Sequence, residues 1–208
     1  MIAKRVLDVV SSAVGLVLLA PLLAAVALLI RFDSPGPIFF RQERVGRHGR
    51  RFRIHKFRTM QHVRSEAGRS ITVGADPRIT RVGGALRRYK LDELPQLIDV
   101  LRGDMSLVGP RPEVPEYVAH YPPPDREAIL SVRPGITDRA SLEFSNENEL
   151  LATAEDPHSF YLAEILPVKL RYYREYVGSR SMLGDLRIIL DTICKVLFRR
   201  SRTPGRIL

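Results

Sequence analysis

From Val9 to Ile30 the chain carries no charged side chain. As an α-helix rising 1.5 Å per residue, this stretch reaches roughly 33 Å, enough for a hydrocarbon core of about 30 Å. It exceeds the apolar region of a typical secretory signal, and no convincing small-residue cleavage site accompanies it, so it is expected to stay in the mature protein. Two features complicate a plain span. Pro21 sits near the middle. It donates no hydrogen bond to the Val17 carbonyl and its ring pushes that carbonyl aside, which kinks a helix. Basic residues also stand on both sides: Lys4 and Arg5 before, then Arg31, Arg41, Arg44, Arg47, Arg50 and Arg51 after. Basic flanks prefer the cytoplasmic side. A helix that enters one leaflet, bends near Pro21 and returns puts both flanks there. A kinked span stays open, because neighbouring groups can satisfy the freed carbonyl. Asp8 lies at the entry of the segment with Arg5 one turn before it, which predicts an interfacial ion pair.

The remainder suits one modest domain. The chain has 208 residues, a net charge of +10 and an isoelectric point near 10.2, so it favours anionic partners. Nucleic acid, anionic lipid and phosphorylated small molecules all qualify. No helix-turn-helix, aromatic RNA-binding motif or zinc-finger spacing supports nucleic acid. A membrane-tethered nucleic-acid binder is therefore the weaker rival, with an inactive membrane scaffold as a second. The single cysteine, Cys194, excludes an internal disulfide and a multi-cysteine zinc site. His48, His55, His62, His120 and His158 show no paired metal-ligand spacing and read as ordinary.

Ser34-Pro35-Gly36-Pro37 ends the first helix. Residues 38–40 and 52–57 read as two short strands around a Gly46–Gly49 turn, and 61–80 as a loop. Helices are expected over Ala85–Tyr89, Asp92–Leu101 with Gly103 as the stop, Pro115–His120, Asp125–Ser131 and Leu162–Tyr176. Gly109–Pro112 and Arg133–Gly135 read as turns. In a last helix Met182, Leu186, Ile189, Leu190, Ile193 and Leu197 fall on one face. Core packing explains that stripe, and so does a helix in the membrane interface, with Arg199, Arg200, Arg202 and Arg206 on anionic lipid. The expected class is α+β, mostly helical. It has an N-terminal re-entrant membrane helix (1–33), a catalytic domain on the cytosolic face (34–208), a small β-hairpin and amphipathic interfacial helices.

The densest chemistry lies in Arg87-Arg88-Tyr89-Lys90-Leu91-Asp92-Glu93-Leu94-Pro95-Gln96. Pro95 belongs in the first turn of a helix, which sets Asp92 and Glu93 at its N-terminus. Free N–H groups and the dipole there attract phosphate, and nearby arginines clamp phosphate oxygens. A magnesium ion suits oxygen ligands bridging the carboxylates and a diphosphate. A carboxylate can also attack phosphorus. Acidic residues in a first helical turn are equally common as plain caps. Arg111, fixed between Pro110 and Pro112, would be aimed at an anion with little entropy to lose, with a surface arginine in a turn as the usual alternative. Lys56 and Arg58 add positive charge at the end of the second strand.

Four runs in order carry a resemblance: Lys56-Phe57-Arg58-Thr59-Met60, Leu91–Leu97, Gly103–Pro112 and Arg133-Pro134-Gly135-Ile136-Thr137. With them, nearly the whole chain resembles the bacterial sugar transferase family, the monotopic polyprenol-phosphate phosphoglycosyl transferases, in its short form. The resemblance implies a UDP-sugar donor, a polyprenyl phosphate acceptor and UMP as the leaving product. It implies Asp92 as nucleophile, forming a covalent sugar-phosphate intermediate, and Glu93 as a helper in holding Mg2+. Arg87 and Arg111, with Lys56 and Arg58, are expected at phosphate. It further implies membrane lipids as partners and the cytoplasmic face of the bacterial inner membrane as the location; a homodimer is left open. The family breaks its membrane helix at Ser-Pro, where this chain has Ala20-Pro21. After Thr137, Asp138–Phe144 departs from the Gly-Trp-Ala-Gln of many members, which leaves the sugar open.

Overall fold

The structure is a computed structural model that describes residues 2–61 and 76–198. The expected loop over 61–80 falls largely outside the described residues, as do His62 and the basic tail after Phe198. The first helix, α1 (Ile2–Asp33), runs unbroken through Pro21. Among the described residues it alone is long and apolar enough to cross a membrane.

One stripe of α1 faces protein. Asp8, Ser12, Val26 and Ile30 are buried, and Leu23 and Ala27 join Val26 and Ile30 in packing against Phe57 and Leu86. The opposite face leaves Val6, Val10, Val14, Val17, Leu18, Leu28, Leu29 and Phe32 exposed. Burying such side chains is worth about 1.5–3 kcal/mol each, so this face is suited to contact with a membrane or another protein.

Both ends of α1 are fastened to the same body. At the start, Lys4 bonds Asp185 at 2.5 Å, and Asp8 accepts from Ser106 Oγ at 2.8 Å and the Leu107 N–H at 3.2 Å. At the end, Arg58 donates to the carbonyls of Ile30, Ser34 and Pro35, while Asp33 accepts the Val82 N–H. The expected Asp8–Arg5 pair does not form. Lys4 lies 4.0 Å from Asp8, and Arg5 turns to the carbonyls of Leu101 and Met105. The reason is competition: the Leu101 carbonyl lies in the last turn of a helix and has no intrahelical partner, so it draws the guanidinium away from Asp8.

The expected hairpin divides in two. β2 (Glu43–Val45) pairs antiparallel with β3 (Arg51–Arg53) around the predicted turn, and β1 (Phe39–Phe40) pairs with β4 (Lys56–Phe57) outside it. The ribbon delivers Lys56 and Phe57 to α2 (Arg81–Arg88) and to a 3₁₀ helix over Leu91–Gln96. That helix continues as α3 (Leu97–Arg102), which Gly103 ends at φ 88°. A short parallel ladder, unforeseen from sequence, joins β5 (Ser106–Val108) to β6 (Gly135–Thr137).

The main core lies under α4 (Pro115–Ala119), α5 (Pro123–Leu130) and α9 (Leu166–Ser179), where Tyr117, Ile129, Leu170 and Tyr173 interlock. Short helices α6 (Arg139–Glu143), α7 (Glu147–Ala152) and α8 (Pro157–Phe160) lead into α9 through a π-helical turn. In α10 (Met182–Leu197) the apolar stripe is turned outward. Met182, Leu186, Leu190 and Ile193 are exposed, whereas Asp185 and Ile188 are buried. Of the stripe, Ile189 packs against the core beside Ile188, while the four exposed side chains are not explained by core packing. The buried Asp185 binds Lys4 and Tyr176, so the helix is held by a polar contact.

Candidate active site

Lys90 takes a left-handed conformation (φ 56°) and turns the chain from α2 into the 3₁₀ helix. Asp92 and Glu93 then occupy its first turn, as the Pro95 position predicted. Both are buried; Asp92 is only 2% exposed. Neighbours on a 3₁₀ helix point about 120° apart, yet one cation reaches both. Lys56 Nζ lies 2.9 Å from Asp92 Oδ2 and 3.2 Å from Glu93 Oε1. Arg111 forks onto Glu93, with Nη2 donating to Oε1 at 2.5 Å and Nη1 to Oε2 at 3.1 Å. Burial opposes the charge on Glu93, but Arg111 and Lys56 outweigh it and hold the carboxyl well below the usual range. Glu93 in turn holds the Arg111 guanidinium well above its ordinary value.

Three of the four carboxylate oxygens are thus occupied. The fourth, Asp92 Oδ1, is buried with no hydrogen-bond partner. A buried polar atom left unpaired costs about 1–3 kcal/mol or more when charged, so its orphan state needs a reason.

Arg87 stands in the last turn of α2 and bonds Thr59 Oγ1 through Nε at 2.8 Å. Burial pushes its guanidinium down, with Asp92 and Asp76 pulling against that. The placement depends on Gly83. A Cβ there would sit 2.0 Å from the Thr59 carbonyl oxygen, so only glycine lets α2 lie this close. Arg58 is not brought to the group. Its guanidinium is spent on three carbonyls at the end of α1, where it caps that helix.

Two supports had no signal in the sequence. His55, ordinary by its spacing, is buried against Asp99 of α3. Arg41 Nη1 donates to His55 Nε2 at 2.7 Å, which leaves the proton on Nδ1, 2.5 Å from Asp99 Oδ1. The His55 backbone N–H also donates to Asp99 Oδ2 at 2.8 Å. This clamp ties the strand to α3 one residue before Lys56 and so aims the lysine at the pair. Behind Arg111, Arg44 donates to the Pro112 carbonyl at 3.0 Å and faces buried Glu113. Lys169 and Tyr161 complete that network. The partners lie too far apart in sequence for any spacing rule to link them.

No group of three or more metal-ligating side chains occurs among the described residues. Magnesium is usually held by one or two carboxylates, with substrate phosphates and water completing its shell. The adjacent carboxylates of Asp92 and Glu93 are of the kind that meets that need, with Oδ1 of Asp92 left unpartnered. Glu93 contributes only by sharing oxygens already bonded to Arg111 and Lys56.

Fold and site define a class: a mostly helical domain, carried on a long apolar helix, that sets a carboxylate pair among cations suited to phosphate. More narrowly, the chain belongs to the bacterial sugar transferase family, whose model matches residues 1–199. It is 41% identical over 198 residues to the UDP-glucose:undecaprenyl-phosphate glucose-1-phosphate transferase of Caulobacter vibrioides, covering 93% of this chain and 69% of that one. It is 37% identical to the UDP-N-acetylgalactosamine-undecaprenyl-phosphate N-acetylgalactosaminephosphotransferase of Aeromonas hydrophila, over 93% of this chain and 43% of the relative. The exopolysaccharide production protein PSS of Rhizobium leguminosarum bv. phaseoli is 37% identical, over 96% of this chain and 97% of the relative. The chain thus spans less than half the length of some of the relatives it matches.

Proposed function

We propose that this chain transfers a sugar 1-phosphate from a UDP-sugar to undecaprenyl phosphate, releasing UMP, at the cytoplasmic face of the inner membrane. The observation that carries the mechanism is the single unpartnered oxygen, Asp92 Oδ1, in a pair whose other oxygens are all held. In the first step that oxygen attacks the β-phosphorus. A new Asp92–phosphorus bond forms, the bond to the bridging oxygen breaks, and UMP leaves with both bond electrons. In the second step a phosphate oxygen of undecaprenyl phosphate attacks the same phosphorus. The acyl phosphate breaks and the Asp92 carboxylate is regenerated.

Lys56 holds the second Asp92 oxygen and so fixes the angle of attack. To Arg87 and Arg111 we assign the neutralisation of charge that develops on the phosphoryl oxygens. Glu93 keeps Arg111 aimed and charged. A magnesium ion, held by Asp92 with help from Glu93, would neutralise diphosphate charge. Asp92 is nearly sealed, so substrate reaches it along the exposed sides of Lys56 and Arg111, which are 22% and 27% accessible.

The acceptor lives in lipid, and two features suit that. The outward faces of α1 and α10 are apolar, and both ends of α1 are tied to one domain. A helix fastened at both ends cannot carry one end across the bilayer while the domain stays behind. This favours a re-entrant α1 over residues 1–33, dipping into one leaflet beneath a catalytic domain over 34–208.

Purified chain, undecaprenyl phosphate, magnesium and a panel of UDP-sugars, read by UMP release, tests the proposal. Release with at least one donor is expected, and none from Asp92→Asn. Full activity in Asp92→Asn overturns the covalent route.

A further inference from the structure

We infer that the cleft between the start of α1, the 131–133 turn and the end of α9 is a binding site for the phosphate of an anionic lipid headgroup, separate from the carboxylate pair. The inference rests on the membrane-immersed placement above, not on the transfer chemistry.

The cleft encloses a cavity of about 90 Å³ lined by Lys4, Arg5, Arg47, Arg133, Arg180 and Asp8. Its anions are already used. Lys4 is paired with Asp185, and Asp8 accepts from Ser106 and Leu107. The four arginines make no ion pair among the described residues; each donates to backbone carbonyls instead. Arg47 bonds Ser131, Arg133 bonds Gly103 and Arg180 bonds Val177, in every case through Nε. That leaves the terminal nitrogens of three guanidinium groups free, the fork that grips phosphate oxygens two at a time. Arg133 is pushed down from its ordinary value by burial, then by Arg5 and Arg47, so an anion here would relieve mutual repulsion.

The surroundings select a lipid. Ile2 and Val6 of α1 are 85% and 56% exposed, and Leu183 of α10 is 81% exposed. The Lys4–Asp185 bond sets these two helix starts side by side. A diacyl phospholipid uses both the cations and the apolar side chains, whereas a free phosphate uses only the cations. The cleft is also distinct from the carboxylate pair. Arg5 holds the Leu101 carbonyl at the far end of the helical unit that Asp92 begins. That path is on the order of 15 Å at 1.5–2.0 Å per residue.

Native mass spectrometry of the full chain in a non-ionic detergent is the test, with short-chain phosphatidylglycerol, phosphatidylcholine or inorganic phosphate added. One phosphatidylglycerol should be retained at least tenfold more tightly than either alternative. Arg47→Gln combined with Arg180→Gln alters only exposed side chains and should weaken retention about tenfold. Asp92→Asn should leave it unchanged. Retention undiminished in the double variant, equal binding of inorganic phosphate, or loss in Asp92→Asn would each overturn the inference. A chain that holds the lipid but never releases UMP would refute the transfer reading and leave this site standing.

Discussion

Replacing Arg111 by methionine should cost stability in a way the geometry sets. The side chain donates two bonds to Glu93, and Lys56 is the other cation on that carboxylate. Removing one member of a buried ion pair typically costs about 3–5 kcal/mol, because the remaining charge stays desolvated. Arg111 is 27% exposed, so solvent screening and the surviving Lys56 reduce this to about 2–3 kcal/mol. For a domain of this size that is a fall in Tm of about 5–10 °C. Arg111→Lys keeps the charge but loses the fork and should fall between the two. The pH dependence has a definite sign. The folded Glu93 carboxyl lies well below its ordinary value, so its contribution is complete above the unfolded value near 4.3. It is lost only as pH falls through the lower, folded value. The Tm gap between wild type and Arg111→Met should therefore hold from about pH 8 to pH 5 and close in strong acid. Thermal unfolding in detergent, combined with Glu93→Gln in a double-mutant cycle, measures this. A single-variant effect under about 0.5 kcal/mol, or no coupling in the cycle, refutes the reading of this pair.

Other outcomes follow from neighbouring features. Gly83→Ala places a Cβ against the Thr59 carbonyl and should destabilise by about 1–3 kcal/mol with reduced UMP release, because α2 and Arg87 must retreat; wild-type Tm and rate would contradict this. The Asp76 carboxyl is held to about 2, chiefly by its side-chain bond to Arg78. Its folded value is depressed, so the Tm gap between wild type and Asp76→Asn should narrow as pH falls from about 4 towards 2, and a constant gap would contradict that. In a Cys194→Ser background, cysteines placed at Ile2 and Ser34 should both be shielded from an impermeant thiol reagent outside intact cells. Labelling at Ile2 alone would establish a true span.

Local rules made some of this readable in advance. Pro95 and Gly103 framed the helix that carries Asp92, and the helix expected over Asp125–Ser131 forms as α5, starting two residues earlier at Pro123. The apolar run announced α1. What the sequence could not convey was long-range. The β5–β6 ladder depends on Gly109 and Gly135 coming together, where a Cβ on Gly135 would lie 2.1 Å from the Gly109 nitrogen. Neither strand is long enough to show a period. The His55–Asp99 clamp joins residues 44 apart. Arg58 looked like a phosphate ligand because charge alone does not distinguish a free guanidinium from one capping a helix. The α10 stripe gave the period and left open whether it faces the core or an interface; Asp185, a polar residue, anchors the inward side.

The most direct measurement is intact-protein mass after mixing the chain with a UDP-sugar and magnesium but no acceptor. A gain of one sugar phosphate, located on the peptide containing Asp92 and discharged by adding undecaprenyl phosphate, is the predicted result. UMP released with undecaprenyl phosphate present, but without any such adduct on rapid quenching, would contradict a nucleophilic Asp92 and point to direct transfer between the two substrates.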